Sequence, residues 1–251
     1  MSAETEEERK MIYAIIVFGA IAAGIIQSVT EFGAAIFLML ILPHFFDMVT
    51  AAALSSSIAM TLGIMLAWKF RKSAQWKMCV FPAIIYLFCS VTAIDLVTGL
   101  DVGLLSLMFG IFLILVALYS LFASNRIAVS GSRKTAVICA AISGITSWLF
   151  GIGGPLMALY FIGISKSKEA YIGNIQFLFA VTNVFNFITR ISKGLYTINL
   201  LPLTLVGFVG IFFGKRIGLK ILDRLRVDAV KKVVYAYVGI SGIMTVLENI
   251  P

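Results

Sequence analysis

Apolar residues run along this chain in blocks of roughly twenty, divided by short polar connections, about the length a helix needs to cross a hydrocarbon layer near 30 Å thick. Six of these blocks predict ordinary spanning helices: Met48–Phe70, Met78–Val97, Val102–Phe122, Ala170–Thr189, Leu195–Phe213 and Val230–Leu247. Alternating apolar and polar ten-residue strands, the mark of a membrane β-barrel, do not occur. Two further segments break the pattern. Met11 to Phe46 would make a straight helix of about 54 Å, too long for one crossing. A break near Gln27–Gly33 divides it into the arms Met11–Gln27 and Ala34–Leu42, and a second break divides Ala136–Leu149 from Pro155–Ile164. Arms this short fit re-entrant hairpins that enter and leave on one side.

The pattern also repeats. Ala23-Gly24-Ile25 resembles Ser143-Gly144-Ile145, Gly33 falls on Gly153 and Pro82 falls on Pro202, all at an offset of 120. The chain therefore divides into an acidic tail (1–10), a first copy (11–123), a basic connection (124–135) and a second copy (136–251) in one membrane domain. Each copy is a broken hairpin followed by three spans, an odd number of crossings. The expected fold is an all-α polytopic membrane protein of two inverted-topology repeats, an arrangement that places binding sites at the bilayer midplane.

Composition agrees with lipid: of 251 residues 61% are hydrophobic and 13% charged, too few charges for the surface of a soluble domain. The net charge of +8 would suggest nucleic acid, but its placement argues against that partner. With re-entrant hairpins, 16 of the 20 Lys and Arg residues share one face, in 69–77, 126–134, 166–168 and 215–232. Only Arg9, Lys10, Arg190 and Lys193 lie opposite; single crossings would split the charges 11 against 9. The rule that positive charge stays inside favours hairpins, or equally two full crossings per broken segment, over single crossings, and with them two non-cytoplasmic termini; a cell (inner) membrane is the expected location. The acidic start (Glu4, Glu6, Glu7, Glu8) and the lack of a small-residue cleavage site argue against a removable signal peptide. Cys79, Cys89 and Cys139, far apart in apolar runs, read as small hydrophobic filler. His44, beside Pro43 and Asp47, reads as an interfacial residue. No set has metal-ligand spacing, and no nucleophile elbow or phosphate-loop Lys occurs, so neither enzyme, metal nor cofactor is expected.

The candidate chemistry lies at the breaks. In Ser147-Trp148-Leu149-Phe150-Gly151-Ile152-Gly153-Gly154-Pro155 the glycines permit a tight turn, and Pro155 suits a first helical position. A helix starting there offers free N–H groups and a positive dipole end inside the membrane, an anion site without a buried cation; close helix packing is the alternative. The first break supplies Gln27, Ser28, Thr30, Glu31 and Gly33, with Glu31 in the place of Gly151. A carboxyl group there is costly unless protonated, so Glu31 is a candidate for coupling to protons, with a structural hydrogen bond as the alternative. Gln176, Asn183, Asn186 and Arg190 fall within about an 80° arc of one helix. They read as a substrate pathway, or else as interhelical hydrogen bonds. Asn174, off this stripe, is placed to support the hairpin exit, and Ser55, Ser56 and Ser57 hold the equivalent position in the first copy.

Two hydrophobic modules, each opened by a Gly-rich break, with Ser143-Gly144-Ile145 leading into Gly151-Ile152-Gly153-Gly154-Pro155, resemble the TauE/SafE sulfite exporter family from about residue 12 onward. Glu31, Ala34 and Ala35 stand where that pattern has glycines in the first copy. The resemblance implies transport of a sulfur-containing anion, such as sulfite or an organosulfonate, coupled to an ion gradient. The residues themselves indicate a small anionic substrate carried by alternating access. An anion channel, a membrane scaffold and a homodimeric assembly stay open at this level.

Overall fold

The structure is a computed structural model describing residues 6–30, 33–97, 101–119, 121, 131–222 and 227–249. Ten α-helices form among these residues: α1 Glu6–Thr30, α2 Gly33–Met39, α3 Met48–Lys69, α4 Trp76–Val97, α5 Val102–Leu118, α6 Arg133–Phe150, α7 Gly154–Ile164, α8 Lys168–Ser192, α9 Leu201–Leu222 and α10 Val227–Asn249. Short 3-10 turns at Leu42–His44 and Ile198–Leu200 lead into the helices that follow. Local chemistry sets several starts. Asp47 accepts from the Val49 and Thr50 N–H groups, Asp101 from Gly103, Ser132 from Thr135 and Ser167 from Ala170. The α1 start instead places Glu6, Glu7 and Glu8 against the positive end of its dipole.

Five helices among the described residues are long and apolar enough to cross a membrane, in α1, α3, α4, α8 and α9. Large side chains such as Ile84, Phe88, Leu115, Ile138, Ile188 and Leu205 point outward, a surface that only lipid covers comfortably. The chain is an integral membrane protein.

Most helix ends shift by a few residues from the sequence pattern, and two elements depart most. Glu6 to Lys10 belongs to α1, which continues past Gln27 to Thr30, so the first break begins later than predicted. The span predicted at Leu195–Phe213 forms as Leu201–Leu222. Gly194, at φ 70°, turns the chain after α8, and the Leu195 and Tyr196 N–H groups both bond to the Arg190 carbonyl. These apolar residues thus close α8 instead of opening α9, which takes in Lys215, Arg216 and Lys220 at its far end.

The helices pack in pairs that exchange between the two halves. α1 lies along α9 and α4 along α6, while α3 meets α8 and α5 meets α10. The α1–α9 pair runs parallel: a Cβ at Gly210 would meet Val17, at Gly214 Ile21, and at Gly218 Ile25 and Ser28. This glycine-every-fourth stripe lets two backbones touch, the favoured way to join helices where lipid removes the hydrophobic drive. Gly24 and Gly144, aligned in the sequence, make the corresponding close approaches to Ile211 and Lys215 of α9 and to Tyr86 of α4. α3 and α8 run antiparallel, with Val49 near Arg190, Gly63 near Gln176 and Phe70 near Gly173. α5 and α10 are also antiparallel, crossing where Gly110 and Gly242 face each other's carbonyls.

Each broken segment returns to the end it came from. Arg9 and Tyr13 of α1 share a surface cavity with Phe46, beyond α2. Arg133 of α6 shares another with Tyr160 and Ile164 of α7, and with Lys77 at the start of α4. That second cavity, with Lys77 and Arg133, marks the end of the bundle called the basic end below.

Candidate functional site

The second hairpin turns deep inside the bundle. Gly151, at φ 69°, ends α6 in the left-handed conformation, its N–H bonded to the Ser147 carbonyl at 3.0 Å. A Cβ on Gly151 would lie 2.9 Å from both the Ala52 carbonyl and the Ser55 hydroxyl of α3. A Cβ on Gly153 would collide with the Tyr86 hydroxyl of α4, which also lies beside Ser147 and Thr182. The turn is therefore pressed between helices of both halves. α7 then begins with Gly153 as an N-cap that has no side chain and Pro155 in its first turn. Gly153, Gly154 and Pro155 are all buried. Among the described residues no acceptor meets the Gly153, Gly154 or Leu156 N–H groups, which an α-helix cannot satisfy from within.

These groups border a cavity of about 30 Å³. Gln27 of α1, Ala35 of α2, Gly63 of α3, Tyr86 of α4, Gly151–Gly154 of the turn, and Gln176 and Asn183 of α8 line it. Among the described residues its polar lining is neutral and comes from both halves of the chain. A water needs at least about 10–15 Å³ of such space, so the cavity takes about two waters, and a four-heavy-atom oxyanion needs the tips to part.

The residues singled out in the sequence divide into two groups. Gln27, Gly151, Gly153, Gly154, Gln176 and Asn183 meet at the cavity. Gln27 also caps α2, accepting from the Ala34 N–H at 3.2 Å, with Gly33 buried beside it. Ser28 instead bonds back to the Gly24 carbonyl and packs on Gly218. Ser147, Asn186 and Arg190 sit behind the turn. Asn186 donates to the Ser147 hydroxyl at 3.1 Å and accepts from Ser90 at 2.8 Å, tying α8 to α6 and α4. Arg190, 1% exposed, donates to the Ser147 and Trp148 carbonyls at the end of α6 and to Val49 of α3, and lies over the Trp148 ring. Its charge thus meets the negative end of α6 and not the cavity. Asn174 accepts from the Gln75 N–H at 2.6 Å and donates to Ser165, joining the α7 exit to the α3–α4 connection. Ser55, Ser56 and Ser57 bond to carbonyls of their own helix.

Glu31 lies outside the described residues, as does the Thr30 side chain. Tyr86 was not singled out from the sequence. The available signal was a tyrosine inside a mostly apolar span, where a hydroxyl needs a partner. Among the described residues no cluster of His, Cys, Asp or Glu is arranged to hold a metal ion.

Lipid-length helices packed around a buried, part-polar cavity fit a helical membrane transport protein. The chain belongs to the sulfite exporter TauE/SafE family, whose pattern matches residues 16–245. It is 26% identical over 189 residues to a probable membrane transporter protein of Methanocaldococcus jannaschii, covering 70% of each chain. No solved structure matches it.

Proposed function

We propose that this protein is a secondary transporter that carries a small sulfur-containing oxyanion, sulfite or an organosulfonate, by alternating access. The observation that carries this reading is the buried start of α7. N–H groups with no acceptor among the described residues, and a positive dipole end, border a small part-polar cavity lined from both halves of the chain. An anion bound there would meet the Gly153 and Gly154 N–H groups on one side and the Gln176 and Asn183 amides on the other. These are neutral donors, so they add no uncompensated charge to the membrane. The small cavity volume fits an occluded state, in which binding requires the tips to move apart.

The exchange of helix contacts between halves, with α3 antiparallel to α8 and α5 to α10, supports two inverted repeats at 11–123 and 136–251. The gathering of Lys and Arg at one end supports a cytoplasmic basic face in a cell membrane, with both termini outside. The family supports the sulfur anion. Glu31, at the first tip by its sequence position, is the candidate for proton coupling.

Reconstitution into liposomes tests the proposal. Saturable uptake of radiolabelled sulfite or a small sulfonate, accelerated by the same anion inside, is the expected result. Saturable flux of carboxylates alone would overturn the substrate assignment. Glu31→Gln is expected to weaken uptake driven by a pH gradient more than anion exchange; equal rates in both assays remove the coupling role.

A further inference from the structure

We propose that the mouth of the second hairpin, at the basic end, binds an anionic phospholipid by its phosphate. A cavity of about 490 Å³ opens there between α4, α6 and α7, lined by Lys77, Phe81, Pro82, Arg133, Tyr160 and Ile164 among others. That volume suits a phosphodiester headgroup. Lys77 and Arg133 are exposed, and among the described residues neither forms an ion pair. The Tyr160 ring is buried while the cavity reaches it, and its hydroxyl has no hydrogen-bond partner among the described residues. Two cations and one hydroxyl donor thus converge on a space containing no carboxylate.

The surface below the cavity selects a lipid over a soluble anion. On α4, Lys77 is followed at helical spacing by Phe81, Ile84 and Phe88, which are 44%, 62% and 70% exposed. On α6, Val137, one turn after Arg133, is exposed, as are Ile138 and Ile142 further along. Each helix therefore presents a cation at its basic end and a bare apolar stripe running toward the bilayer centre. A headgroup phosphate on the cations would lay two acyl chains along those stripes. A soluble phosphate leaves the stripes uncovered, and a zwitterionic lipid gains little net attraction. The lipid would join α4 to the hairpin without entering the central cavity.

Native mass spectrometry of the full chain in detergent, titrated with phosphatidylglycerol or phosphatidylcholine, tests this. Two cations near a membrane surface correspond to a preference of roughly thirtyfold for phosphatidylglycerol. Lys77→Gln with Arg133→Gln should reduce retention to the phosphatidylcholine level, while Lys166→Gln with Lys193→Gln should leave the preference intact. Photoactivatable phosphatidylglycerol should label wild-type peptides 77–88 and 133–142, a readout independent of variant folding. Equal retention of the two lipids, labelling confined to other helices, or the same thermal stabilisation by inorganic phosphate would each overturn the proposal.

Discussion

Gly153 has no room for a methyl group. Its Cβ would overlap the Tyr86 hydroxyl and lie 2.9 Å from the Ser143 carbonyl, so Gly153→Ala must push the start of α7 away from α4. Overpacking of this kind costs about 1–3 kcal/mol and misaims the N–H groups together. Anion affinity should fall by at least about tenfold, as hydrogen-bond donors misplaced by an ångström lose most of their value. Adding Tyr86→Phe should recover part of the stability, read by thermal melts with and without sulfite. Unchanged affinity in Gly153→Ala would remove that turn from the binding site. The roles of Gly151 and Gly153 were legible because turn geometry and a Pro-initiated helix are local demands. Tyr86 was not, because its position depends on how α4 lies against α6, which no local pattern encodes.

At the level of elements, the polar stripe of α8 was legible as one face but not as two functions. Gln176 and Asn183 reach the cavity, whereas Asn186 and Arg190, further along, hold the end of α6. The division falls where α6 ends against α8, a tertiary fact hidden from helical periodicity. Arg190 therefore positions the turn. Arg190→Gln should leave the Ser147, Trp148 and Val49 carbonyls short of donors, lowering Tm by about 5–10 °C, since hydrogen bonds to charged groups contribute roughly 1.5–3 kcal/mol each. Relief of a buried charge offsets part of that loss. Anion affinity and the rate of exchange should change together in this variant. If sulfite binding is lost with Tm unchanged, Arg190 contacts the anion directly. The start of α9 was misread for a related reason: Leu195 and Tyr196 look like the head of a span, yet their N–H groups close α8.

For the whole molecule, hydropathy and charge carried most of the information. Span lengths predicted the helices, and the gathering of Lys and Arg is the basis of the proposed orientation, in which the two arms of each broken segment share a surface cavity at one end. The closeness of the central packing was less legible, because glycine spacing does not say which helix is the partner. Reporter fusions test the proposed orientation. Alkaline phosphatase should be active at both termini, and inactive when inserted after Lys72 or at 126–131. Phosphatase activity in those basic connections would reverse the topology.

The bound anion's position decides between the buried helix start and every other basic site on the molecule. A cryo-EM map of the protein saturated with sulfite or a small sulfonate should show density against the Gly153 and Gly154 N–H groups, facing Gln176 and Asn183. Density at Arg190 or at Lys77 and Arg133, with none in the central cavity, would contradict it.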